Sequence, residues 1–217
     1  MRAQVVLPDG CIRLEPGRRV RRDVLVRNLR LTAERFTFEV VGAAASWTTL
    51  DPPVLALGPE ATGRIAVHFH PPRAAHVRAG AVPFGLLTTS AQETAGPVVE
   101  RLLEVGRFTD IGAELIPRCV RRASATFHLT VANRGNDTVR VSVRGRDPAD
   151  ALRVECAPAR LTVFPGTTAQ SGIRVRPARR RWLGSPVARP FQIVVDPGAD
   201  LPLIVGGELV QRPILPS

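Results

Sequence analysis

Residues 127–137 read Phe127-His128-Leu129-Thr130-Val131-Ala132-Asn133-Arg134-Gly135-Asn136-Asp137, and their pattern decides the fold. Phe127, Leu129 and Val131 hold every second place, with His128 and Thr130 between them. A period of two is the period of a β-strand, and apolar side chains on one parity give one dry face and one wet face. The run stops at Arg134-Gly135-Asn136-Asp137, where Gly and Asn accept positive φ at little cost, so a turn is expected there. Val139, Val141 and Val143 then alternate with Arg140, Ser142 and Arg144, which reads as the returning strand.

The same arrangement occurs earlier in the chain. Val24-Leu25-Val26-Arg27-Asn28 matches Leu129-Thr130-Val131-Ala132-Asn133 at an offset of 105. Leu55-Ala56-Leu57-Gly58-Pro59 matches Leu161-Thr162-Val163-Phe164-Pro165, the segment Arg64–Arg73 matches Ser171–Pro177, and Pro83-Phe84 matches Pro190-Phe191. Leu103-Glu104-Val105 aligns loosely with Glu208-Leu209-Val210. Matches in one order at a nearly constant offset define an internal repeat of about 105 residues. They predict two domains, 1–108 and 109–217, joined by a short connector around Phe108–Ala113. No helical periodicity of ten or more residues interrupts the pattern. The fold class is all-β: two tandem immunoglobulin-like β-sandwich domains.

Composition limits the function classes. The chain has 217 residues with 44% hydrophobic side chains, enough for packed cores. Its net charge is +11, yet all 30 basic residues are Arg, with no Lys and no Tyr. Together with abundant Ala, Val, Pro and Gly, this reads as the coding bias of a GC-rich genome. The excess is spread along the chain: net +4 over residues 1–108 and net +7 over residues 109–217. Nucleic acid is therefore not the expected partner. Cys11, Cys119 and Cys156 cannot all pair within the chain, and their spacings match no zinc pattern. The N-terminal MRAQVVLPDG lacks the apolar core of a signal peptide, and no run of 18 apolar residues exists. The expectation is a cytoplasmic protein with reduced thiols and no transmembrane segment, with a fragment of a longer membrane or secreted protein as the rival.

The segments Val131-Ala132-Asn133-Arg134-Gly135-Asn136 and Phe164-Pro165-Gly166-Thr167 resemble bacterial immunoglobulin-like domains found as tandem copies in actinobacterial proteins, some labelled "hydrolytic protein". The resemblance covers nearly all of both halves, and it rests on structural turns that specify fold better than function. It implies an accessory role beside phage-tail-like contractile injection systems, where related proteins are encoded. Antibody domains differ in two respects: this chain has no Cys pair at the inter-sheet bridge positions and, without Tyr, no tyrosine corner.

A search for chemistry finds no catalytic set. No Gly-x-Ser-x-Gly elbow and no phosphate-cradling Gly-rich loop occurs. Cys11 and Cys119 stand at equivalent first-strand positions, which predicts core packing for both. His68 and His70 point the same way on one strand, with His76 in the loop beyond, but no acid or Cys completes a metal shell. His128 is expected on an outward strand face. Trp47 is expected in the core, and Arg18-Arg19-Val20-Arg21-Arg22 on a solvated strand face. Arg179, Arg180, Arg181 and Trp182 form the conspicuous feature, a basic loop with an aromatic, of the residue types enriched in binding hot spots. They are the candidate partner-binding residues. The expected function is a non-enzymatic structural or protein-interaction module, a rigid spacer or docking platform for an unidentified protein partner, with no metal and no cofactor. An accessory component of an injection apparatus and an Arg-driven anion or nucleic-acid binder are the alternatives.

Overall fold

A computed structural model describes residues 3–7, 10–90, 96–179, 181–182 and 184–213. The chain divides into two compact units, Met1–Phe108 and Thr109–Ser217. The first holds β1 (Ala3–Val6), β2 (Ile12–Leu14), β3 (Val20–Asn28), β4 (Glu34–Val41), β5 (Thr48–Asp51), β6 (Val54–Leu57), β7 (Thr62–Phe69), β8 (Gly80–Ser90) and β9 (Val98–Val105). The second holds β10 (Ile111–Ile116), β11 (Cys119–Val120), β12 (Ala125–Asn133), β13 (Val139–Arg146), β14 (Leu152–Ala157), β15 (Arg160–Val163), β16 (Thr168–Pro177), β17 (Val187–Asp196) and β18 (Leu203–Gln211). A single 3-10 turn, Ala45–Trp47, is the helical element among the described residues.

Each unit is an immunoglobulin-like sandwich, and the two share one topology. In the first, a four-stranded sheet β1-β3-β7-β5 faces a five-stranded sheet β2-β9-β8-β4-β6. In the second, β10-β12-β16-β14 faces β11-β18-β17-β13-β15. The first strand of each unit is split between the sheets. β1 and β10 run antiparallel to β3 and β12, whereas β2 and β11 run parallel to β9 and β18.

The alternation read in the sequence sets these faces. Along β12, Ala125, Phe127, Leu129, Val131 and Asn133 are buried, while Thr126 and His128 are exposed. Each unit has its own apolar cluster, with Phe36, Ile65, Phe69, Phe84 and Leu103 in one and Phe127, Leu129, Ile173, Phe191 and Leu209 in the other. A T-shaped aromatic pair sits at the centre of each: Phe69–Phe84 at 5.2 Å and Phe127–Phe191 at 5.0 Å. Phe84 and Phe191 are repeat equivalents, but their partners are not. Phe69 comes from β7, where β16 carries Val175; Phe127 comes from β12, where β3 carries the exposed Arg22. The aromatic pair is kept while the donor strand changes, because packing needs the volume and not its origin.

Asn28 and Asn133, which end β3 and β12, are buried and tie the sheets together. The Asn133 side-chain amide donates to the carbonyls of Asp137 (2.8 Å) and Val163 (3.0 Å), and its Oδ1 accepts from the Gly135 N–H (2.9 Å). Asn28 does the same toward Thr32, Leu57 and Gly58, and accepts from Arg30 N–H.

Several expectations are corrected. The Arg134–Asp137 turn is present, but neither Gly135 nor Asn136 has positive φ; the Asn133 side chain closes the turn instead. The connector does not reach Ala113. Ile111–Ala113 already pair with Val131–Asn133, and the Asp110 carbonyl accepts the N–H groups of Arg134 and Gly135. The last repeat match slips by one residue, since Leu103 and Leu209 are the equivalent buried positions, opposite Ile12 and Val120. Trp47 is half-buried, packed on the core edge 6.5 Å from Phe69.

Gly145 in β13 marks a close approach between the sheets. A Cβ there would collide with the Val154 side chain on β14, so this strand position takes glycine.

Candidate functional site

The loop that follows β16 carries the basic segment. Its first residue, Ala178, donates its N–H to the Ala151 carbonyl at 2.8 Å. The next carbonyl, of Arg179, accepts from the Gln211 side-chain amide at 3.0 Å. Gln211 is buried at the end of β18, so the last strand braces the loop. Arg179 and Trp182 project outward, with Trp182 62% exposed. Arg180 lies outside the described residues.

Arg181 behaves differently. It is half-buried and turns inward, with Ser124, Arg176, Gln211 and Arg212, to line a cleft of about 360 Å3. Ala123 and Pro177 supply the apolar part of the wall. No Asp or Glu among the described residues lines it. Arg176 pairs with the Glu155 carboxylate across the β14–β16 ladder. The Arg181 Nε is enclosed and meets no acceptor among the described residues. Gly184, at φ +106°, lies against this guanidinium; an added Cβ would come 2.8 Å from Arg181 Nη2.

Two acids, Asp147 and the exposed Asp150, stand in the β13–β14 loop at this end. The Asp147 carboxylate accepts the N–H groups of Ala149, Ala151 and Leu152. Arg121 and Arg122, in the loop before β12, and Arg146 and Arg153, beside the β13–β14 loop, add to the positive charge. Such a concentration raises the local potential and favours encounter with an acidic ligand.

Of the sequence candidates, Arg179, Arg181 and Trp182 therefore share one loop, with Arg181 facing the cleft. Ser124, Arg176, Gln211 and Arg212 were not singled out by sequence reading. Arg176 belongs to β16 and Gln211 to β18, Ser124 immediately precedes β12 and Arg212 immediately follows β18, so the strand order is what brings them together.

The histidines form a separate group. His68 is half-buried in the ladder between Arg21 and Thr49; His70 is exposed just beyond β7 and donates its N–H to the Trp47 carbonyl at 2.8 Å. Both line a cleft of about 470 Å3 with Trp47 and Arg19. Among the described residues, no group of three His, Cys, Asp or Glu side chains could hold a metal ion. His128 is exposed on β12, and no helix among the described residues is long and apolar enough to cross a membrane.

The cysteines are free, and two overturn an expectation. Cys11 and Cys119 are equivalent, but both are exposed and not in the cores. Each stands one residue before the inward-facing Ile12 or Val120, so strand alternation turns it outward. The Cys119 Sγ donates to Glu208 Oε1 at 3.5 Å. Loss of hydration, then that hydrogen bond and the carboxylate charge, raise its pKa; Arg121 opposes them. Cys156 is raised by burial, against the Gly145 N–H. A raised pKa leaves less thiolate at neutral pH. Glu208→Gln should thus speed Cys119 alkylation several-fold at pH 7.5, with the gain vanishing once both thiols are ionised at high pH. Peptide mapping after iodoacetamide labelling measures this, and equal rates would contradict it.

No protein-family model matches the chain, and no curated protein matches it. Among solved structures, it is similar to a protein of unknown function from Porphyromonas gingivalis W83, at 15% identity and a TM-score of 0.36, covering 97% of this chain and 100% of that one. It is similar to the D00-D0 domain of Intimin at 8% identity and a TM-score of 0.42, covering 96% and 99%. It is similar to the Pseudomonas aeruginosa CupB2 chaperone at 10% identity and a TM-score of 0.32, covering 94% and 100%. Likenesses of this degree carry nothing about function.

Proposed function

We propose that the chain is a non-enzymatic structural and protein-interaction module. Its two sandwiches, Met1–Phe108 and Thr109–Ser217, act as separate domains in a spacer or docking platform. The second presents its basic loop, with Arg179, Arg180, Arg181 and Trp182, to an acidic protein partner. The observation that carries this reading is the exposed Trp182 next to Arg181 of a cleft where Arg176, Arg181 and Arg212 converge and, among the described residues, no acid lines the wall. An exposed large aromatic flanked by arginines is the composition of an interface anchor. The resemblance to tandem actinobacterial domains supports a place for the module beside a contractile injection apparatus. A cytoplasmic, reducing setting fits the three free thiols.

An Arg-driven binder of nucleic acid is the second reading, favoured by the same charge. The two part on ligand preference: under the second reading duplex DNA of arbitrary sequence should bind more tightly than an acidic peptide, and under the first more weakly. Anisotropy of a fluorescein-labelled hexaglutamate peptide tests the first reading. Trp182→Ala should weaken its binding at least roughly tenfold and leave the melting temperature within about 2 °C, as expected for an exposed side chain. Unchanged affinity, or a destabilised fold with binding spared, would make Trp182 a structural edge and remove the contact surface.

A further inference from the structure

We infer that the cleft formed by Ser124, Arg176, Arg181 and Arg212 is a binding site for a single oxyanion, which the carboxylate of an acidic residue supplies when the partner docks. The inference rests on the docking reading above and deepens it by naming the chemistry of the seat.

The geometry around Arg181 leads to it. A guanidinium donates through five N–H groups in a rigid fork and has no acceptor of its own. Enclosing one of those donors without a partner is unfavourable, and for a charged group more so. Arg181 Nε is in that state. The surrounding loop holds it there: Gly184 at φ +106° leaves the space in which the guanidinium lies, and Gln211 pins the backbone two residues before it. An oxyanion in the cleft would lie against the Arg181 guanidinium, with the Ser124 hydroxyl and the Arg212 guanidinium on the same lining. Arg176 is already held by Glu155, which orients it and leaves its remaining donors for the cleft. A carboxylate or phosphate oxygen meeting these guanidinium groups would form charge-assisted hydrogen bonds, which are stronger than neutral ones.

The size of the cleft bears on the source of the anion. At about 360 Å3 it is far larger than one free inorganic ion and accommodates an amino-acid side chain with its flanking backbone. Trp182, the next residue after Arg181 and exposed, supplies a face for that flanking chain.

Isothermal titration of the whole chain with inorganic phosphate and with acetyl-hexaglutamate, at low salt, tests the site. Both should bind, the peptide more tightly. Arg181→Met should weaken both by at least tenfold, and Ser124→Ala by several-fold, with melting temperatures unchanged. Gly184→Ala keeps every charge but crowds the guanidinium and strains the backbone at φ +106°, and should weaken both as well; Arg181→Lys, which keeps the charge and loses the fork, should weaken both too and serves where either variant alters the fold. Trp182→Ala should weaken the peptide and leave phosphate alone. Peptide binding that survives Arg181→Met and Gly184→Ala but falls with Trp182→Ala would overturn the oxyanion seat and sustain the docking surface. Phosphate binding lost with Arg181→Met, alongside no peptide binding, would sustain an oxyanion site with a small-molecule ligand and overturn the docking reading. Absence of binding by either probe would overturn both.

Discussion

Phe191→Ala will lower the stability of the second unit by about 3–5 kcal/mol, the range for deleting a fully buried phenyl ring. Phe191 is 2% exposed and meets Phe127 edge to face at 5.0 Å, so the variant loses apolar burial and an aromatic pair together. Relaxation into the cavity is limited by the neighbouring strand. Opposite Phe191 stands Gly207, where a Cβ would come 2.5 Å from the ring; the glycine makes room for the phenyl group and offers no side chain to refill the space. The two units have separate clusters, so hydrogen-exchange protection should fall through β12, β16, β17 and β18 and hold in β3 to β9. Phe84→Ala should produce the mirror-image pattern through its pair with Phe69. A loss below about 1 kcal/mol would show that the ring is not central to the core.

Asn133→Ala is expected to cost the second unit about 2–4 kcal/mol, because it strands buried partners and does not merely remove a contact. The carbonyls of Asp137 and Val163 and the N–H of Gly135 each lose their side-chain partner, and alanine offers neither donor nor acceptor. For a unit of this size the melting temperature should fall roughly 10–20 °C. Asn133→Asp makes the interpretation sharper. It keeps the acceptor for Gly135 but turns the amide donor into a second acceptor, buried against two carbonyls, so it should be at least as damaging as alanine. Urea unfolding measures both; an Asp variant near wild type would contradict the assigned network.

Much of the sandwich was legible because its determinants are local. The alternation in Phe127–Val131 and Val139–Val143 fixes which face is dry, and the paired Asn28 and Asn133 recur because each unit needs the same tie. What sequence could not supply was mechanism and register. Gly135-Asn136 carries the composition of a positive-φ turn, yet the neighbouring Asn133 side chain closes the loop with ordinary backbone. Cys11 and Cys119 looked like core residues because they recur at one position. Recurrence marks a shared place in the fold, and that place is outward-facing. The slip at Leu103 arose because Leu-Glu-Val and Glu-Leu-Val look alike once shifted, and only the pairing with Ile12 and Val120 separates them.

The candidate site was partly visible for a related reason. A run of arginines ending in Trp182 stands out in any reading of the chain. The cleft does not, because Ser124, Arg176 and Arg212 come from three segments distant in sequence. Sequence also gives all the arginines one appearance. Structure separates them: Arg144 pairs with Asp196, Arg176 with Glu155, and Arg64 with Asp23, whereas Arg181 and Arg189 each enclose an Nε that meets no acceptor among the described residues, and of these two only Arg181 lines the cleft. Exposed pairs of the first kind contribute little to stability.

The most direct measurement of the central claim is a chemical-shift titration of the isotope-labelled whole chain with acetyl-hexaglutamate. The expected perturbations are confined to the cleft end of the second unit: the backbone of Ser124, Arg179 and Arg181, the side-chain Nε–H of Arg181, and the Trp182 indole, with the indole of Trp47 unmoved. Saturable perturbations centred on Trp47, His68 and His70, or no saturable perturbation at all, would contradict it.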